Sequence, residues 1–172
     1  MAKELSALEQ LKASRNPLRV IDDVYKEAQE GIPLKDEHIG LLKWYGMYPH
    51  VNSDGLEDKK YFMKRIKLID TKMNLEQLKV MAKIGRDYAQ GLVDFTTRQN
   101  IQFHFIQIKD MPAILDLLDS AGLTSRMASG DGPRPIMTCP VSGIDQEEFY
   151  DAAELVKQVD SYFNENEDRF CN

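Results

Sequence analysis

The sequence is short of cysteine, with only Cys139 and Cys171 among 172 residues. Two distant thiols match no zinc or iron–sulfur ligand spacing, so these residues alone build no four-cysteine site. Their pairing in a disulfide is not expected either, because the chain reads as cytoplasmic. Long apolar runs are also missing. None approaches the roughly 20 residues that a membrane-spanning helix needs. The opening Met-Ala-Lys-Glu-Leu-Ser lacks the apolar centre of a signal peptide and carries an early acid. Positive charge is in deficit, with 22 Lys and Arg against 28 Asp and Glu and a net charge of −6. That balance argues against a nucleic-acid protein, which needs a concentrated basic surface. No internal repeat or low-complexity tract is present.

What is there suits a folded domain. Hydrophobic residues make up 42% and charged residues 29%, and a chain of this length buries roughly two-thirds of its unfolded surface. Asn16-Pro17 predicts a helix start, followed by Leu18, Ile21, Val24, Tyr25 and Ala28 at helical spacing up to Gly31. Asp36 opens a second helix carrying Ile39, Leu42 and Trp44. Pro49 to Lys60 reads as a polar loop. Tyr61–Leu68 reads as a strand with Phe62, Ile66 and Leu68 on one face, which Lys64 interrupts. Asn74 and Gln77 form a capping-box pattern ahead of Leu75, Leu78, Met81, Ala82, Ile84 and Tyr88. Leu92–Phe95 is a short strand. Ile101–Ile108 alternates, with Ile101, Phe103 and Phe105 on one side. Asp110 caps a helix that Gly122 ends, and Leu123–Ala128 reads as a last short strand.

The order is β-α-β-β-α-β, so the expected fold is α+β and ferredoxin-like. A helical arm (1–60) precedes the half-domain (61–128), and a Gly- and Pro-rich loop with a final helix follows (129–172). That helix is expected from Asp145, capped by Glu148, with the tail after Asn164 as a linker.

Few residues suggest chemistry. Arg98 lies in the polar run Thr96-Thr97-Arg98-Gln99-Asn100 between two strands, which places a guanidinium at a sheet end, where it suits an oxyanion or a carboxylate. A turn cap or a surface ion pair is the structural alternative. Arg134 stands in Gly-Pro-Arg-Pro, stiffened by prolines, and an exposed loop arginine is the plainer reading. His104 fits a hydrogen-bonded structural residue better than a ligand. Lys64, Arg65 and Lys67 form a basic strand, either a polyanion site or a solvated face. Phe103 and Phe105 fit a core better than a base-stacking surface.

Four segments closely resemble the sirohaem-dependent assimilatory nitrite and sulfite reductase family. They are Phe62-Met63-Lys64-Arg65-Ile66-Lys67-Leu68, Asp94 to His104 with its Thr-Thr-Arg-Gln-Asn run, Ala121-Gly122-Leu123-Thr124-Ser125, and Thr138-Cys139-Pro140-Val141-Ser142-Gly143-Ile144-Asp145. The resemblance implies a fold half, a chemistry and a set of roles. Sirohaem, bridged to a four-iron–four-sulfur cluster, passes six electrons to nitrite or sulfite, with ferredoxin as the expected donor. It casts Arg98 and Arg134 as anion-binding catalytic residues, and Arg65, Arg98, His104 and Arg134 as partners of the sirohaem carboxylates. It assigns this chain no metal ligand. Pro135 replaces an asparagine of the family pattern, and the family's cluster cysteines and active-site lysine have no counterpart here.

The expectation is therefore the amino-terminal part of a nitrite reductase, or of a sulfite reductase of the same family. By itself it is expected to be inactive and to hold no cofactor stably, and its partners are the rest of the enzyme, with no nucleic acid or membrane. The rival of another class is a free-standing binding module that kept the fold without the chemistry.

Overall fold

The computed structural model describes residues 6–51, 55, 57–130 and 132–170. Three helices come first: α1 (Ala7–Ser14), α2 (Val20–Glu30) and α3 (Asp36–Leu41). Asn16 accepts a hydrogen bond from Leu18 N at 2.9 Å, and Gly31 ends α2 in the left-handed region at φ +66°. Trp44 falls in a 3-10 turn, Leu42–Tyr45, rather than in α3.

A four-stranded antiparallel sheet follows, in the order β1-β2-β4-β3. Its strands are β1 (Met47–Val51), β2 (Glu57–Ile66), β3 (Val93–Phe95) and β4 (Ile101–Ile106). Two helices cross it: α4 (Leu75–Tyr88), held by the expected reciprocal Asn74–Gln77 box, and α5 (Met111–Ser120). The arm and the sheet share one core, in which Val20, Val24, Leu42 and Trp44 join Phe62, Ile66, Phe103 and Ile114. Gly85 lets α4 lie close to the sheet, because a Cβ there would sit 2.6 Å from Val93 Cγ2.

Several expectations need correcting. The polar stretch after Pro49 is largely a hairpin: Met47 pairs with Lys64 and Tyr48 with Met63, while residues 52–54 and 56 lie outside the described ones. Pro49 is tolerated because β1 is the edge strand. The last expected strand shrinks to a single antiparallel bridge, Lys67 to Thr124. Met127 adopts φ +51° and donates its N–H to Trp44 O at 2.6 Å, which ends any extended run there. That bridge still falls beside β2, the place a ferredoxin-like fold gives its fourth strand. Asp110 makes no side-chain cap, and a 3-10 turn over Ile108–Asp110 leads into α5 instead.

Phe105 also departs from the alternation. Phe62 pairs with Ile106 but Lys64 with Phe103, so β4 carries an extra residue, and Phe105 sits at φ +62°. This bulge turns Ile106 into the core in place of Phe105. The final helix, α6 (Ala153–Glu165), starts later than Asp145. Both Glu148 carboxylate oxygens accept from Gly143 N at 2.8 Å, so Glu148 braces a turn instead of capping a helix. The tail is helical up to α7 (Glu167–Phe170), where the Phe163 and Phe170 rings meet at 4.8 Å. Cys171 lies outside the described residues.

Candidate anion-binding site

One face of the sheet is covered by helices, and the other is open. Lys64, Phe103 and Met47 point toward the covered side and are fully or almost fully buried. Arg65 and its cross-strand partner Gln102 point to the open side and are only partly buried. Gly46 sets the depth of Arg65. It adopts φ +68°, accepts from Arg65 N at 2.8 Å, and a Cβ on it would lie 2.6 Å from Arg65 O. Gly46→Ala is therefore expected to cost about 1–3 kcal/mol in urea unfolding, through strain and a backbone clash.

The Thr-Thr-Arg-Gln-Asn run is the β3–β4 turn. Thr96 N donates to Asn100 O at 2.9 Å, Gln99 N donates to Thr96 O at 2.9 Å, and Gln99 takes the left-handed conformation at φ +57°. Asn100 is buried and pins the turn to the end of β2 by accepting from Leu68 N at 3.2 Å. Arg98 is thereby held beside Arg65. Its Nη2 donates to Pro135 O at 3.2 Å, and Gln99 Nε2 donates to Thr138 O at 3.2 Å. The segment carrying Arg134 is thus strapped across the sheet end. Its other end is held by Ser129, which donates to Lys43 O at 3.0 Å, and by Gly130 N, which donates to the Tyr48 hydroxyl at 3.3 Å.

Three arginines meet in this arrangement. Burial pushes the Arg65 guanidinium below its ordinary range, and the charges of Arg134 and Arg98 push the same way, opposed by Tyr48. Arg65 Nε and Arg98 Nε are buried without a hydrogen-bond partner. Among the described residues no carboxylate forms an ion pair with Arg65, Arg98 or Arg134. Uncompensated guanidiniums with buried donors left over suit a bound anion that supplies the missing acceptors.

His104 stands apart from this group. It lies on the same strand face two residues beyond Gln102, about 7 Å along β4. Its Nε2 is 3.0 Å from Asp94 Oδ2, and its ring sits edge-on to His50 with centroids 5.3 Å apart. Asp94 accepts from Nε2 and fixes the ring there. A separate cleft of about 510 Å³ opens beyond β2, lined by Lys67, Asp70, Lys72 and Lys157 among others. Its lysines already face acids: Lys67 pairs with Asp160, and Lys157 with Asp70 at 3.1 Å. It lacks the unbalanced charge of the arginine group.

The chain is similar to several known proteins. Residues 54–121 match the nitrite/sulfite reductase ferredoxin-like half domain. An assimilatory ferredoxin-dependent nitrite reductase of Haloferax mediterranei is 33% identical over 94% of this chain and 30% of its own length. A ferredoxin sulfite reductase of Mycobacterium tuberculosis is 30% identical over 90% of the chain and 30% of its own length. The structure of the Mycobacterium tuberculosis NirA protein superposes with a TM-score of 0.88 at 26% identity, covering 99% of this chain and 34% of that one. The chain belongs to the nitrite/sulfite reductase family. It spans about a third of the length of these relatives.

Within a nitrite/sulfite reductase half-domain, two parts of the arginine site escape a reading of the sequence. Tyr48 reaches it only because Met47–Val51 is a strand, which the run Met-Tyr-Pro-His-Val signals weakly around its proline. Gln99 reads as a polar turn residue, yet it ties the strap to the sheet.

Proposed function

We propose that this half-domain supplies the anion-facing wall of a nitrite reductase, with Arg65, Arg98 and Arg134 binding the substrate anion and the carboxylates of sirohaem. The observation that carries this reading is the grouping of three arginines that, among the described residues, form no ion pair with a carboxylate, together with two buried Nε atoms without partners. Sulfite is the second reading, favoured by the sulfite reductase among the relatives.

The residues fit sirohaem on one test and do not fit an iron–sulfur cluster on another. Eight carboxylates need fixed cations, and guanidiniums with spare donors provide them. For the cluster, the described residues hold no group of three or more His, Cys, Asp or Glu able to bind a metal, and Cys139 is an exposed free thiol. The chemistry sirohaem supplies when bound is an iron on which the anion is reduced with six electrons. The chain's own part is electrostatic. Arg65 and Arg98 draw in the anion, and their partly desolvated donors orient its oxygens. Arg134, exposed on the strap, binds either the anion or a sirohaem carboxylate in this reading. His104, oriented by Asp94, adds a hydrogen bond farther along the same face. Ferredoxin as electron donor follows from the relatives' names and belongs to the whole enzyme.

Uroporphyrin, a porphyrin with eight carboxylates, tests the carboxylate role on the 172-residue protein. Weak, salt-sensitive binding is expected by absorbance titration. Arg65→Met should weaken it about ten-fold or more, the loss of one charge-assisted contact. Equal binding by Arg65→Met and the unaltered protein would remove Arg65 from the site.

A further inference from the structure

Phe105 is held in a backbone conformation that its side chain does not favour. A non-glycine residue at φ +62° inside a strand is uncommon, and it persists only where its surroundings over-determine it. The sequence offers a second arrangement. Ile101, Phe103 and Phe105 alternate, so in an unbulged strand Phe105 would take the inward place that Ile106 now fills, and Ile106 would turn outward. Two neighbouring apolar residues compete for one core position, and the bulge decides between them.

What holds the bulge comes from the edge strand. β1 breaks register at the same level, with Pro49 opposite Phe62 but His50 opposite Asp58, while Phe62 faces Ile106 on its other side. In place of a ladder partner, Phe105 N donates to His50 Nε2 at 3.3 Å. The imidazole also stacks on the Phe105 ring, with centroids 4.9 Å apart at 26°, and Tyr61 meets the other ring edge-on at 6.0 Å. The bond has a chemical condition. A neutral imidazole accepts at one nitrogen, whereas a protonated one donates at both and cannot receive an N–H.

We propose that His50 is a proton-sensitive latch on the register of β4: neutral, it holds the bulge, and protonated, it releases Phe105 from the left-handed conformation. Such a strand end has two discrete arrangements rather than a continuum, which is what a switch requires. His104 directly precedes Phe105 and its ring sits edge-on to His50 at 5.3 Å, so the same step moves His104 on the face that carries Arg65 and Gln102. The titratable groups around the latch are His104 on β4 with Asp94 of β3 behind it, Tyr61 on β2 with Lys60 Nζ over its ring at 5.1 Å, and Asp58, the register partner of His50. Of these His104 shares the titration range of His50, and it is the group the test must separate.

NMR of the isotope-labelled 172-residue protein tests the latch, following the Phe105 amide and both imidazole rings between about pH 8 and pH 5, the span of histidine titration. The Phe105 protection factor against hydrogen exchange should fall about ten-fold as His50 takes up its proton, the loss of one hydrogen bond. Its amide–Hα coupling should move from the left-handed to the extended value over the same range. His50→Gln offers an acceptor that does not titrate, and should make Phe105 protection independent of pH across this span. His104→Asn removes the other imidazole and should leave the fall in place. Protection and coupling that stay constant while His50 titrates would overturn the proposal. A fall that survives in His50→Gln, or one that vanishes in His104→Asn, would place the proton elsewhere and overturn it equally.

Discussion

Asp160→Ala is expected to lower the unfolding free energy by about 3–5 kcal/mol, the range for breaking a buried ion pair from one side. Asp160 on α6 pairs with Lys67 at the end of β2, and their side chains are 4% and 2% exposed. Removing the carboxylate leaves an ammonium in the interior without its counter-charge, and Asn164 Nδ2 also loses its acceptor at 2.8 Å. The paired change Lys67→Met with Asp160→Leu should recover most of the loss, because two apolar groups need no partner. Urea unfolding of the three variants decides. A loss below about 1 kcal/mol for Asp160→Ala would mean that the pair is solvated and does not fasten α6 to the sheet.

The second large effect is a rise in stability with pH. Lys64 is 0% exposed and, among the described residues, has no carboxylate partner. Its Nζ donates to Tyr45 O at 2.8 Å and to Ser125 Oγ at 2.6 Å. Burial pushes its pKa down from 10.5 to about 7. The folded value lies below the unfolded one, so the sign follows directly. Below pH 7 both states carry the proton, and the fold bears the full penalty of a buried charge. As pH rises through 7, the folded protein releases its proton while the unfolded chain keeps its own, so stability climbs until about 10.5. Between pH 7 and 9 the gain is about 2 kcal/mol at 1.36 kcal/mol per unit once the folded form is neutral. Lys64→Met should lack this slope. Parallel pH profiles for the two proteins would show that Lys64 stays charged in the fold.

Much of this was legible in the residues. The strand-helix-strand-strand-helix run from β2 to α5 follows from hydrophobic spacing and from the Asn74–Gln77 box, both of which depend on local geometry, whereas β1 is hidden by its proline and the last expected strand is only the Lys67–Thr124 bridge. The four resembling segments carried the family, and residues 54–121 match its half-domain. The misses have physical causes. The bulge at Phe105 cannot be seen in an alternating run, because a period of two looks the same until a register shift moves Ile106 inward. Glu148 fits a capping box by spacing, but Gly143 takes its carboxylate first. Lys64 interrupts an apolar strand face in the sequence. Only the fold shows that Tyr45 and Ser125 provide it with oxygens there. The family resemblance groups Arg65, Arg98 and Arg134, but what brings them near one another is the left-handed Gln99 turn and the strap to Pro135, neither of which the sequence spells out.

On the reading proposed above, Arg65, Arg98 and Arg134 form one anion site. Nitrite titration of the isotope-labelled 172-residue protein tests it most directly, reading the arginine Nε–Hε resonances. Arg65, Arg98 and Arg134 should shift together along one binding curve, while the exposed Arg86, already bonded to Asp87, stays still. Shifts spread evenly over all the arginines, or confined to Arg86 and its like, would contradict it.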